Sequence, residues 1–219
     1  MEKKYWDTKW QNKDTGWDQQ KPNPFLLKYF NNLNLKTGAT IFVPLCGKSI
    51  DMLWLTEQGY QVIGVELNLQ ACELFFTENN IPYQTNQLEK FNVLSSDKIT
   101  LLSGDFFDLD KNILGQIDAI YDRAALIALP VEIRQVYAQK ITNLVAPHTQ
   151  ILLITPCYNQ QEMQGPPFSV NEDEVQDLFG KNFNVLQLYH QVAENIPAHL
   201  QARGLTHASD LVFQIRSVL

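Results

Sequence analysis

The sequence is poor in cysteine, has no long hydrophobic run and does not concentrate basic residues. Its three cysteines are odd in number and lack metal-ligand spacing, which argues against a disulfide scaffold and fits reduced thiols in the cytoplasm. The longest apolar runs, such as residues 151–154, are too short to cross a bilayer, and residues 1–7 lead into no signal-peptide core. Lysine and arginine total 17 against 24 acidic residues, so the basic surface of a nucleic-acid-binding protein is missing. We expect a cytoplasmic monomer that acts on a small molecule, with no nucleic-acid or membrane partner.

The length of the chain and its hydrophobic content are sufficient for one α/β domain over residues 1–219. Within this domain, residues 1–36 are predicted to be a helical extension that serves as a lid. Strand and helix patterns alternate along the chain, which predicts a doubly wound, mainly parallel sheet with an antiparallel edge and helices on both faces. Residues 80–97 show neither period and are predicted to wrap the surface, and residues 160–168 are predicted to be a loop. The predicted strands are residues 41–45, 61–66, 98–102, 117–122, 150–155, 183–189 and 210–218, and the predicted helices are residues 24–30, 49–58, 68–79, 130–144 and 171–179.

The turn after the first strand, residues 44–49, has the sequence Pro-Leu-Cys-Gly-Lys-Ser. Its end resembles a phosphate-binding P-loop, but that loop needs a glycine where this chain has Phe42. The sequence does not match a dinucleotide-binding turn either, since it supplies only one glycine where the backbone would have to approach a pyrophosphate. The turn suits a cofactor with a ribose and no phosphate, of which S-adenosylmethionine is the common one. A P-loop nucleotidase remains the less favoured alternative.

Two residues of this first unit are candidate cofactor ligands. Glu66 ends the second strand about 20 residues past the glycine turn, where a carboxylate can accept hydrogen bonds from both ribose hydroxyls. Its alternative role is that of a surface acid at a strand end. Leu45 can offer backbone atoms to the methionine part while its side chain faces the core.

Two further groups follow the next strands. Asp105 and Phe106 are placed to contact the adenine, the acid through the exocyclic amine and the ring by packing on the base; alternatively they cap a turn and fill the core. Arg123 can form a bidentate pair with the cofactor carboxylate or orient the substrate. It can instead pair with Asp122 or Asp105.

The first 20 residues contain Trp6, Trp10 and Trp17, three of the four tryptophans. A solvated leader would not be expected to hold so much aromatic surface. The rings either cover an edge of the sheet or form a lid over a ligand.

Several of these motifs together resemble the thiopurine S-methyltransferase family, in its bacterial branch. The resemblance implies a seven-stranded class I methyltransferase fold, S-adenosylmethionine as cofactor, S-adenosylhomocysteine as product, and no metal. It implies cofactor contacts at Trp10, Leu45, Glu66, Asp105, Phe106 and Arg123, and Trp17 near the methyl acceptor. The matching stretches are Trp6-x-x-x-Trp10 and residues 43–49, 64–66, 122–126 and 165–168.

The expected reaction is transfer of the sulfonium methyl group to a soft nucleophile. Candidate acceptors are an aromatic or heterocyclic thiol such as a thiopurine, or a reduced selenium or tellurium species. Because such acceptors ionise readily, the reaction needs no dedicated base, and no catalytic residue is assigned. Where the family often has an arginine near the acceptor, this chain has His199 close to Arg203; a solvated loop histidine is the plainer interpretation. A non-catalytic cofactor-binding module is the other alternative.

Overall fold

The computed structural model describes residues 3–218, and its strands form one mixed sheet. The strands of this described part are β1 (Thr40–Val43), β2 (Gln61–Glu66), β3 (Gln84–Leu88), β4 (Phe91–Ser95), β5 (Ile99–Ser103), β6 (Ala119–Arg123), β7 (Gln150–Cys157), β8 (Phe183–Val192) and β9 (Ser209–Ser217). Their order in the sheet is β3-β4-β5-β2-β1-β6-β7-β9-β8. The central strands β5, β2, β1, β6 and β7 pair in parallel, so their carboxyl ends meet at one edge of the sheet.

The sheet is larger than predicted. All seven predicted strands are present with small shifts at their ends, but residues 84–95 add a hairpin that pairs antiparallel with β5. The prediction that residues 80–97 only wrap the surface is therefore wrong, and antiparallel pairs lie at both edges. Every residue of β3 is exposed, so this strand is held by main-chain hydrogen bonds and carries no hydrophobic alternation to detect.

Helices cover both faces of the sheet, as predicted. They are α1 (Lys3–Gln11), α2 (Pro24–Tyr29), α3 (Asp51–Glu57), α4 (Leu69–Glu78), α5 (Lys111–Leu114), α6 (Val131–Leu144), α7 (Glu172–Phe179) and α8 (Ala198–Gln201). One apolar core lies under α6 and α7, and a second lies under α2, α3 and α4. None of the helices within residues 3–218 has the length and apolarity needed to span a bilayer.

The helix boundaries depend on side-chain caps. Asn23, Asn68 and Asn171 each accept hydrogen bonds from main-chain N–H groups in the first turn of α2, α4 and α7, and each of these helices begins within one residue of its predicted start. The helix predicted to begin at residue 49 begins at Asp51, whose N–H donates to Ser49 Oγ at 3.3 Å. The glycine turn therefore extends further than the sequence indicated.

Candidate cofactor and acceptor site

A cavity of about 800 Å³ opens at the carboxyl ends of the parallel strands. Ligand pockets for drug-sized molecules span about 300 to 1,000 Å³, so the cavity has room for a nucleoside cofactor beside a small second molecule. Residues 3–22 lie over it, and the ends of β2, β6 and β7 form its floor. The structure brings every predicted site residue to this one cavity: Trp10, Trp17, Leu45, Glu66, Asp105, Phe106 and Arg123.

The glycine turn enters the cavity with a strained backbone. Leu45 has φ +47° and Gly47 has φ +54°, both in the left-handed region. A Cβ on Gly47 would lie 3.3 Å from the indole of Trp10. Glycine suits this position because it adopts a positive φ readily and because it has no side chain to crowd the ring. The Leu45 side chain packs against the core under α6, and the residue also lines the cavity.

Glu66 is the buried carboxylate of the site, with 8% of its surface exposed. Its Oε2 accepts from the Gly47 N–H at 2.9 Å and its Oε1 accepts from the Asn68 N–H at 2.8 Å. Burial raises the pKa of this carboxyl, and the main-chain N–H donors oppose that rise. An ionised carboxylate offers about four acceptor positions, so each oxygen keeps one for a ligand hydroxyl. Two adjacent acceptors fit the two hydroxyls of a ribose.

The residues predicted at the adenine end have structural roles as well. Asp105 Oδ1 accepts from the Phe107 N–H at 2.9 Å and so caps a 3-10 turn. The Phe106 ring is 4% exposed and stacks with Phe42, their centroids 6.4 Å apart. Capping and core packing are therefore present, and both residues also border the cavity. The two interpretations are compatible.

Arg123 ends β6 beside the cavity, and its Nη1 donates to the main-chain oxygen of Trp17 at 2.9 Å. Within residues 3–218 it forms no salt bridge with Asp122 or Asp105. Asp122 instead accepts from the Tyr137 hydroxyl at 2.6 Å, and burial raises the pKa of Asp122 to about 6. Arg123 thus keeps its other guanidinium N–H groups for a ligand while it holds the segment that carries Trp17.

The three N-terminal tryptophans form one cluster over the turn. The Trp17 ring meets Trp10 edge-on with centroids 5.8 Å apart, and it meets Trp6 in the same way at 5.4 Å. Helix α1 is attached to the start of α4 by Asp7, whose Oδ1 accepts a hydrogen bond from Nδ2 of the capping residue Asn68 at 2.7 Å. All three rings line the cavity, which favours the lid interpretation over rings that cover a sheet edge.

Lys48 lies in the glycine turn, just before α3, and its side chain is only 14% exposed. Its Nζ contacts Asp18 Oδ2 at 2.9 Å and also pairs with Glu78 of α4. The lysine therefore joins the segment that carries Trp17 and Asp18 to helix α4. Since two carboxylates already neutralise it, it is poorly suited to bind phosphate, which weighs against the P-loop alternative.

The side of the cavity next to β9 holds one residue that the sequence did not single out. Asp210, near the start of β9, borders the cavity, and a lone acid inside a predicted strand gives no pattern that could have identified it. His199 and Arg203 border the cavity as well. His199 is exposed and stands against Gly16, where an added Cβ would lie 2.7 Å from its Nε2. Arg203 donates to the main-chain oxygens of Gln164 and Pro166.

Comparison with solved structures supports the fold. The crystal structure of the 1,6-didemethyltoxoflavin-N1-methyltransferase of Burkholderia thailandensis, which holds 1,6-didemethyltoxoflavin and S-adenosylhomocysteine, superimposes with a TM-score of 0.66. The match covers 98% of this chain and 86% of that chain at 16% identity. The likeness confirms a class I methyltransferase-like α/β fold, with nine strands in the described residues rather than seven.

Sequence comparison is more specific. The thiopurine S-methyltransferase of Nitrosospira multiformis is 44% identical over 215 residues, 97% of each chain. That of Pseudomonas fluorescens strain Pf0-1 is 38% identical over 218 residues, the full length of both chains. The family model of thiopurine S-methyltransferase matches residues 1–218. These matches confirm the predicted resemblance and an enzyme of the methyltransferase class: the chain belongs to the thiopurine S-methyltransferase family.

Proposed function

We propose that the protein methylates the sulfur of an aromatic or heterocyclic thiol, such as a thiopurine, with S-adenosylmethionine as the methyl donor. The observation that carries this proposal is the single cavity that joins the Glu66 carboxylate to Trp17 and Arg123 in a chain of this family. Relatives of this chain are named for thiopurine S-methylation, which supports the acceptor class.

The cofactor half of the cavity is built around Glu66. Its two free acceptor positions hold the ribose hydroxyls, and Asp105 and Phe106 flank the adenine. The backbone of Leu45 and the ring of Trp10 border the methionine part. When bound, S-adenosylmethionine supplies an electrophilic methyl group on a positively charged sulfur, and the π face of Trp10 suits such a cation.

The acceptor half is organised by Trp17 and Arg123. The hydrogen bond from Arg123 to the Trp17 main chain fixes the lid segment against β6, so that the indole closes the cavity. The sulfur of a thiolate or of a thione has a free lone pair and needs no base to react, so the chain needs to hold that sulfur in line and to exclude water. Residues 3–22 therefore serve as a lid in this proposal.

An acceptor screen tests the proposal. Purified full-length protein with radiolabelled S-adenosylmethionine is offered 6-mercaptopurine, thiophenol, selenite and tellurite, and the products are identified by mass. We expect S-methylated thiols and S-adenosylhomocysteine. Cofactor binding by calorimetry with no transfer to any acceptor would favour a non-catalytic binding module, and binding of ATP with magnesium instead would favour a nucleotidase. The cytoplasmic location and the monomeric state stay predictions, the second open to size-exclusion chromatography.

A further inference from the structure

Asp210 stands apart from the other charged groups of the cavity. It is half buried, it borders the cavity, and no hydrogen bond or ion pair to its carboxylate is found within residues 3–218. Burial alone raises the pKa of this carboxyl, because no donor or cation offsets the loss of water. A half-buried carboxylate without a partner is costly unless a ligand supplies the donor.

The other acids around the cavity already have partners. Asp14 pairs with Lys9 and Asp18 pairs with Lys48, while Glu66 and Asp105 accept from main-chain N–H groups. Each of these carboxylates is accounted for by the folded chain or by the cofactor role given to it above. Among the described residues that line the cavity, Asp210 is the acid that has neither a partner in the folded chain nor an assigned contact with the cofactor.

The position of Asp210 places it on the acceptor side. Strand β9 runs antiparallel to β7, and Asp210 lies opposite Pro156, so it belongs to the edge where the parallel strands end. Four strand spacings separate β9 from β2, about 19 Å at the usual spacing of about 4.8 Å. Arg123 on β6 lies midway between Glu66 and Asp210. The part of the cavity between Arg123 and Asp210 is therefore the space that remains for a second molecule beside a cofactor held at Glu66.

We propose that Asp210 accepts a hydrogen bond from a ring N–H of the methyl acceptor and so selects heteroaromatic thiones over simple aryl thiols. This inference rests on the proposed function and names the acceptor more closely. Heterocyclic thiols with a ring nitrogen next to the thiol carbon exist in water mainly as thiones, in which that nitrogen carries the proton. The donor needed by Asp210 is then part of the substrate itself.

The same contact distinguishes substrate from product. On methylation a carbon–sulfur bond forms at the thione sulfur, the methyl–sulfonium bond breaks with its electron pair left on the cofactor sulfur, and the ring N–H proton passes to solvent. The product nitrogen then presents a lone pair to the Asp210 carboxylate instead of a donor. Asp210 consequently binds the substrate and repels the product.

The test compares three acceptors that differ at one position: 2-thiopyridone, 1-methyl-2-thiopyridone and thiophenol. Their dissociation constants are measured by tryptophan quenching on the full-length protein saturated with S-adenosylhomocysteine, and kcat/KM is measured separately with S-adenosylmethionine. For Asp210→Ala we expect binding of 2-thiopyridone to weaken by about tenfold or more, as for a lost charged hydrogen bond. The other two ligands should change by less than about twofold. Asp210→Asn, which keeps an acceptor oxygen, should fall between.

Glu194→Gln is the matched control, because Glu194 is exposed in the adjoining segment and does not border the cavity. Equal losses for all three ligands, or no loss for any, would overturn the role of Asp210. If the wild-type protein methylates none of the three, the proposed acceptor class fails; if it methylates them without regard to Asp210, only this inference fails. Weaker binding of 2-(methylthio)pyridine to the wild type than to Asp210→Ala would further support it.

Discussion

Removal of the Glu66 carboxylate should weaken cofactor binding by deleting the two acceptors that face the ribose, and should also destabilise the folded protein. Each oxygen of this carboxylate already accepts one main-chain N–H, from Gly47 or from Asn68, and keeps one acceptor position for a ribose hydroxyl. Glu66→Ala deletes both of those ligand contacts. Glu66→Gln keeps one oxygen and puts an amide NH2 where the other N–H donor points.

The magnitude follows from these contacts. A hydrogen bond to a charged group contributes about 1.5 to 3 kcal/mol, so two of them correspond to about 3 to 6 kcal/mol. Converted to affinity, Glu66→Ala should raise the dissociation constant for S-adenosylhomocysteine by about 10² to 10⁴. The change also leaves the two buried N–H groups unpaired, at about 1 to 3 kcal/mol each in the free energy of unfolding.

Calorimetry with two ligands separates binding from stability. The wild type should bind S-adenosylhomocysteine much more tightly than its 2′,3′-dideoxy analogue, whereas Glu66→Ala should bind both with similar affinity. Glu73→Ala, an exposed acid of the neighbouring helix α4, is the control and should leave both affinities unchanged. The reasoning is refuted if a folded Glu66→Ala protein binds S-adenosylhomocysteine as the wild type does, or still discriminates between the two ligands to the same degree.

Three further changes test the lid and the buried acid. Trp17→Ala should lower kcat/KM for the thiol acceptor by about tenfold, because the acceptor is held less well, while the calorimetric affinity for the cofactor stays within about twofold. Lys48→Met should lower the free energy of unfolding in urea by about 1 kcal/mol and speed proteolysis within residues 12–22, since Asp18 loses its cation. Asp122 has a higher pKa in the folded protein, about 6, than the ordinary 3.8, so folding becomes less favourable as the pH rises through this range. Wild-type stability should therefore fall by about 2 kcal/mol relative to Asp122→Asn between pH 4 and pH 7, measured by urea unfolding.

Each of these three predictions has an outcome that would contradict it. Equal losses of cofactor affinity and acceptor turnover in Trp17→Ala would place the indole in the cofactor half, and Trp17→Phe should restore part of the turnover. Unchanged cleavage in Lys48→Met would show that the ion pair does not hold the lid; Lys98→Met, which changes an exposed lysine outside the cavity, is its control. Parallel pH profiles for the wild type and Asp122→Asn would mean that the Asp122 carboxyl titrates alike in the folded and unfolded chains.

The fold was largely predictable because its central strands are buried on both faces. Continuous apolar runs such as residues 62–65, followed by helical periodicity, define parallel strands and their crossovers without any tertiary information. The hairpin at residues 84–95 could not be found in this way. Its first strand is exposed throughout, and it forms because an open edge of β5 offers main-chain partners.

The residues of the site likewise divide into those that the sequence predicted and those that only the tertiary structure identified. By itself, the sequence determined the glycine turn, the acid at the end of the second strand and the family, since these depend on residue types at short spacing. Only the tertiary structure decided that Lys48 joins Asp18 to α4, that Arg123 holds the Trp17 main chain, and that Asp210 borders the cavity with no partner in the part of the chain that the structure describes. These contacts join residues that lie far apart in the sequence and that the order of the strands brings to one edge of the sheet. A local sequence pattern gives no information on such long-range contacts.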